Sequence, residues 1–269
     1  MNLYLTEAGI RDKKELLYLS KAMFSNNLGK YLLRALYDLY PHLKDKVWSK
    51  NVKDPFRLLV ITVLSQVTSY KNLMRAVENL DKTIGISPEK LAKASLEDIE
   101  KAIKPAGLYK QRAQKIKTLA QMIVNNYGGD LSFLKNLDSE RARELLLALP
   151  GVGEKTADVL LLFSFNRRVM PVDTHIRRIT RRLGLVGEKS SYREIRKKLE
   201  EIFPPEDLAF AHIALIEFGR NICRARKPSC NSCPLRKICP RIGVSDQKLD
   251  HTSRGEFIHH SSIPRKLRV

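Results

Sequence analysis

Several things are scarce in this 269-residue chain, and each scarcity excludes something. No apolar run approaches the ~20 residues that span a bilayer. The opening "MNLYLTEAGIRDKKELLYL" lacks the basic segment, apolar core and small-residue cleavage site of a secretory leader. We therefore expect a protein that is not secreted and works in the cytoplasm, at the nucleoid, or in a nucleus. Aromatic residues make up only 7%, which argues against a stacking platform for single strands as the main binding device. Alternating strand patterns are hard to find. Cysteine is confined to four residues, all within seventeen positions.

Acid is scarce as well: 29 Asp+Glu face 49 Lys+Arg, a formal charge of +20. The excess is uneven, because residues 51 to 100 balance at seven each while 101 to 269 hold 33 basic and 17 acidic residues. A membrane surface or an acidic protein would attract such a chain, but nucleic acid is the commonest partner for so much distributed basic charge.

What the chain does have is helical periodicity. "KYLLRALYDLYPHL", "EKLAKASLEDIEKAI", "QRAQKIKTLAQMIVNNY" and "SYREIRKKLEEIF" place apolar residues three and four apart. Punctuation falls at Asp54-Pro55, Ser87-Pro88, Ser95, Gly107, Gly128-Gly129, Asp138, Pro150-Gly151 and Gly184. This predicts an all-α fold of roughly ten helices joined by short loops. After Pro240 the apolar period is lost, and residues 241–269 read as a basic, mobile tail whose His259-His260 pair is solvated rather than metal-binding.

The cysteines Cys223, Cys230, Cys233 and Cys239 follow a C-x6-C-x2-C-x5-C spacing. In a reducing compartment such a cluster points to metal rather than disulfides. Four thiolates suit zinc or an iron-sulfur cluster; a single C-x2-C knuckle and a wide first gap favour the larger cluster. With every ligand a cysteine, the centre reads as structural or electron-carrying. Arg224, Arg226, Lys227, Arg236 and Lys237 interleave the thiols, either compensating an anionic cluster or facing phosphate.

"LPGVGEKTADVLLLFSF" reads as a helix end, a hairpin and a second helix. The Gly151-Val152-Gly153 turn would leave backbone N–H groups open to a phosphate. Lys155 lies in the first turn of the second helix, where the dipole disfavours a cation. Its plainer reading is a solvated phosphate contact; the sharper one is an amine of depressed pKa, usable as a nucleophile. Asp173 in "VDTHIRR" directly precedes a helix and is read first as its N-cap, and His175 as structural.

Together "VLSQVTSYKN", "LPGVGEKTAD", "VDTHIRR" and "GRNICRARKPSCNSCPLRKIC" resemble the endonuclease III family of helix-hairpin-helix DNA glycosylases, in the family's order over residues 54 to 240. The resemblance implies a six-helix barrel at about 49–167 and a discontinuous cluster domain at about 1–48 plus 168–240, with double-stranded DNA in the cleft and the protein a monomer. It implies Lys155 and Asp173 as the catalytic pair, the aspartate helping to keep the amine deprotonated. It also implies one four-iron four-sulfur cluster on Cys223, Cys230, Cys233 and Cys239, and room for a monovalent cation at the hairpin.

Gln66 and Leu108 match residues that fill the gap left by a flipped nucleotide; apart from the resemblance they read as a polar helix end and as core. Gly151, Val152 and Gly153 would grip the DNA backbone. The activity implied is base excision of damaged, oxidised pyrimidines followed by β-elimination 3′ to the abasic site. A mismatch or uracil glycosylase with weak lyase activity is the first alternative, and a non-catalytic DNA-binding module the second. Thr62 stands where adenine-specific relatives carry a glutamate, which disfavours adenine removal, and Tyr70 stands where many relatives have aspartate.

Overall fold

The structure, a computed structural model, describes residues 28–44, 53–66 and 68–244. The tail reading from residue 245 onward, with His259 and His260, lies outside the described residues, as do residues 1–27. Among the described residues the secondary structure is wholly helical, and no helix is long and apolar enough to cross a membrane.

The helices begin where short polar residues can accept backbone N–H bonds. Residues 28–39 form α1. α2 (Pro55–Ser65) starts behind Asp54, whose carboxylate accepts from Arg57 N at 3.0 Å, with proline in the first turn where its missing N–H costs nothing. α3 (Tyr70–Thr83), α4 (Pro88–Lys93) and α5 (Leu96–Ile103) are capped by Ser69, Ser87 and Ser95. α6 (Tyr109–Tyr127) ends on Gly128 in the left-handed region at φ 63°. α7 (Ser139–Leu147) is capped by Asp138, and α8 (Glu154–Phe163) follows the glycine hairpin. α9 (Thr174–Arg182), α10 (Tyr192–Ile202) and α11 (Leu208–Asn221) complete the chain before the cysteine loop.

Helix α8 organises the packing. Every residue from Thr156 to Phe163 is buried, the polar Thr156 and Asp158 included, and the helix packs on α2, α7 and α11. On one side α2 to α6 pack among themselves, with α6 lying against α4 and α5. On the other, α9 packs on α11. A side chain at Gly219 of α11 would meet Cβ of His175 at 2.7 Å, so glycine there allows the two helices their close approach. α1 joins this second group: Tyr37 stacks on Phe210 with ring centroids 3.9 Å apart and donates its hydroxyl to Asp207. One continuous hydrophobic core runs through both groups.

Candidate active site

Lys155 sits in the first turn of α8, half-buried. No side chain caps that helix, so the first-turn amides after Gly153 have no intrahelical partner. Burial pushes the Lys155 ammonium below its ordinary pKa, while the Asp173 carboxylate pulls it back up. This corrects one expectation. Burial, not the aspartate, favours the neutral amine, because a neighbouring negative charge stabilises the ammonium. Asp173 is the N-cap of α9, accepting from Ile176 N at 2.8 Å, and its field reaches Lys155 from that position. Asp173 thus caps α9 while its charge acts on Lys155.

A third group converges here that sequence reasoning missed. His212 of α11 is buried, and its Nδ1 lies 3.1 Å from the Pro171 carbonyl oxygen. A carbonyl only accepts, so Nδ1 carries a proton. Burial, and then the charge of Lys155, hold its pKa down to about 4, with Asp173 acting in the opposite sense. His175, by contrast, packs against Gly219 and lies 3.1 Å from Arg178 Nη2, in keeping with a structural role.

In the hairpin Gly151 adopts φ 78°, a conformation that favours glycine, and both Gly151 and Gly153 are exposed. Val152 behaves differently. Its side chain is buried and its N–H donates to Leu149 O at 3.2 Å, so it anchors the turn from within.

Gln66 is exposed at the C-cap of α2. Leu108 is 62% exposed, with φ 46° at the N-cap of α6, so the reading of Leu108 as core is overturned. A leucine in left-handed backbone, pointing at solvent, is strained and unburied. Arg112, only 5% exposed, joins the two loops: it donates to Gln66 O, to Leu64 O at 3.2 Å, to Thr68 Oγ1 at 2.8 Å and to Ala106 O at 2.7 Å. The Thr68 hydroxyl adds a bond of its own, with Ala106 O at 2.7 Å and Gln66 O at 3.1 Å both in reach of its one proton. Thr62 is buried and donates to Leu58 O at 2.8 Å, an internal helix bond. Tyr70 opens α3 and is 66% exposed.

The four cysteines line one recess with Ile179 and Phe218. Burial first, then the neighbouring thiols, push Cys233 up to about 11. Arg182 Nη1 approaches Cys223 Sγ at 3.4 Å and donates to Arg224 O at 2.7 Å, while Cys239 Sγ donates to Arg182 O at 3.4 Å. Among the described residues no three His, Cys, Asp or Glu side chains already close to the geometry of a single bound ion. Four thiols about one largely apolar recess, with a guanidinium beside one sulfur, nevertheless form a donor set that fits a thiolate-held anionic cluster.

An uncapped glycine hairpin thus leads to a half-buried lysine in a wholly helical set of described residues. Residues 60–205 match the family model of the HhH-GPD superfamily base excision DNA repair proteins. The chain is 38% identical over 188 residues to endonuclease III of Sulfolobus acidocaldarius, covering 70% of this chain and 82% of that one. It is similar to a solved structure of a trapped endonuclease III–DNA covalent intermediate, with TM-score 0.68, 31% identity, and coverage of 80% of this chain and 96% of that one. It is also similar to a thermostable thymine-DNA glycosylase, with TM-score 0.67, 25% identity, and coverage of 82% and 98%. The chain belongs to the endonuclease III family of this superfamily. It is an enzyme, a DNA glycosylase of base excision repair.

Proposed function

We propose that this chain is a bifunctional glycosylase and abasic-site lyase acting on damaged, oxidised pyrimidines in double-stranded DNA, with Lys155 as nucleophile. One observation carries the reading: an amine held toward neutrality by burial, on an uncapped helix N-terminus, faced by the carboxylate of Asp173. Exposed turn amides and the first-turn dipole offer a phosphate site beside it.

The target nucleotide leaves the stack, at a cost of a few kcal/mol that damage lowers. Gln66 and Leu108 enter the gap; the strained, exposed Leu108 gains there the burial that the free protein denies it. The Lys155 amine attacks C1′, the glycosidic bond breaks, and the base leaves with the bonding pair and takes up a proton. Asp173 stabilises positive charge on the sugar and accepts the proton that the amine sheds. The sugar ring opens to a Schiff base. Loss of a C2′ proton then expels the 3′ phosphate by breaking C3′–O, and water releases the lysine.

Cys223, Cys230, Cys233 and Cys239 would hold a four-iron four-sulfur cluster, which supplies a closed, cysteine-ligated centre that fixes the loop after α11. We further propose the domain division at about 49–167 and 1–48 plus 168–240, which α8 bridges through its contacts on both sides, and a monomeric enzyme.

Borohydride reduction in the presence of abasic duplex DNA tests the reading. A covalent adduct is expected with the parent and not with Lys155→Gln; equal trapping by both would refute it. Base release from thymine glycol, compared with thymine or uracil opposite guanine, then assigns the lesion class.

A further inference from the structure

One turn beyond Lys155 on α8 lies Asp158, which the reaction does not use and which is 0% exposed. A carboxylate removed from water needs partners, and an apolar residue would avoid the cost altogether. Partners come from two other helices. Arg143 of α7 approaches with Nε 3.3 Å from Oδ1 and Nη2 3.3 Å from Oδ2. Arg196 of α10 approaches with Nη1 3.7 Å from Oδ1. The arginines are shared with acids further out: Glu154 with Arg143, and Glu140 and Glu200 with Arg196. These ion pairs are loose: Arg143 Nη2 donates to Asp158 Oδ2 only at 3.3 Å, and Asp158 Oδ1 and the Nε atoms of Arg143 and Arg196 make no hydrogen bond.

The tight contact is with Tyr192, in the first turn of α10. Its hydroxyl donates to Asp158 Oδ2 at 2.6 Å, and the hydroxyl oxygen itself accepts the N–H of Val172 at 3.2 Å. Val172 immediately precedes Asp173. A continuous path therefore runs from Lys155 through one helical turn to Asp158, across the Tyr192 hydroxyl, and into the backbone that presents Asp173.

We propose that Tyr192 is a positioning residue whose hydroxyl, bridging Asp158 and Val172 N, sets the placement of the Asp173 carboxylate relative to the Lys155 amine. The inference rests on Lys155 and Asp173 being the reacting pair. A hydroxyl that donates on one side and accepts on the other fixes both elements in direction as well as distance, which arginine pairs at 3.3 to 3.7 Å do not. Within this geometry Lys155 is faced by Asp173 from α9 and by neutral His212 from α11.

The test uses the full chain and two duplexes, one with a natural abasic site and one with an uncleavable tetrahydrofuran analogue. Tyr192→Phe keeps the ring and removes the bridge. Single-turnover trapping is expected to slow by about 10- to 100-fold, the loss typical of a small misplacement of a reacting group. Analogue binding should stay within about twofold. The acid limb of the trapping rate should also move to lower pH, because a displaced Asp173 raises the Lys155 pKa less.

Asp158→Asn retains an acceptor for Tyr192 while removing the charge, so its rate should fall less than that of Tyr192→Phe. If Tyr192→Phe does not fold, Asp158→Leu removes the same bridge and must show the same displacement of the acid limb. A parent that does not trap overturns the lysine reading itself. A parent that traps, beside a Tyr192→Phe enzyme of equal rate and unmoved acid limb, overturns the bridge alone. A variant whose binding and rate fall together with the limb unmoved also overturns it, in favour of a purely structural role.

Discussion

Replacing Arg112 by methionine keeps the aliphatic stem and deletes the guanidinium that ties the Gln66 loop to the Leu108 turn. Four acceptors lose a donor: the carbonyls of Leu64, Gln66 and Ala106, and the Thr68 hydroxyl. A hydrogen bond to a charged group contributes about 1.5–3 kcal/mol, but the sum overstates the loss. The single Thr68 hydroxyl proton lies in reach of Ala106 O at 2.7 Å and Gln66 O at 3.1 Å, so one of the carbonyls keeps a partner. Removing the buried cation also relieves its own desolvation, which already pushes the Arg112 pKa down. The net expectation is about 3 kcal/mol of lost stability. At roughly 2–4 °C per kcal/mol for a domain of this size, the midpoint in a thermal scan should fall by about 6–12 °C.

The same variant should bind DNA with little change but flip the target base poorly, since Gln66 and Leu108, the side chains proposed to fill the gap, stand on the loops that Arg112 joins. A 2-aminopurine placed next to the lesion reports this as a lost fluorescence rise. A midpoint within about 2 °C of the parent, with flipping intact, would refute the claim that one guanidinium organises both loops.

Three further outcomes follow from the site and its packing. Asp173→Asn can still cap α9, but it removes the carboxylate that raises the Lys155 pKa; the acid limb of the trapping rate should move to lower pH while the plateau falls by about 10²-fold or more. His212 is neutral when folded, with its pKa held to about 4, whereas its unfolded value is about 6.5. Its contribution to stability is thus complete above about pH 6.5 and is lost as pH falls toward about 4; His212→Gln should flatten that part of a urea-midpoint profile. Gly219→Ala places a methyl group 2.7 Å from His175 Cβ, and separating α9 from α11 should cost about 1–3 kcal/mol, seen as a lower thermal midpoint.

The helix boundaries were legible because their causes are local. Asp54-Pro55, Ser87-Pro88, Ser95, Asp138 and Asp173 each start a helix with a side chain that reaches only two or three residues ahead. Lys155 stood out because a cation in a first turn contradicts the dipole. The groups that the sequence concealed act across long separations. His212, within "LAFAHIALIEF", reads as one more position of a buried helix, and nothing nearby in the chain announces Lys155 as its neighbour.

Arg112 did leave a trace. It falls four residues before Ile116 on the buried stripe that continues through Leu119, Ala120 and Ile123, so a charge occupies an apolar position. Arg196 beside Ile195, and Asp158 within the wholly buried α8, break the pattern in the same way. Leu108 misled for the opposite reason: hydrophobicity alone predicts burial, and the left-handed backbone after Gly107 that turns it outward is a property of the folded turn.

Helix α9 is a nine-residue rod with its two ends committed to different tasks. Asp173 caps one end, and Arg182 at the other clasps the thiol loop through Arg224 O, Ala225 O and Cys223 Sγ. A shift of that loop is leverage on the carboxylate at the far tip. Loosening of that loop would therefore dull the proposed chemistry from a distance, with every reacting atom still in the chain.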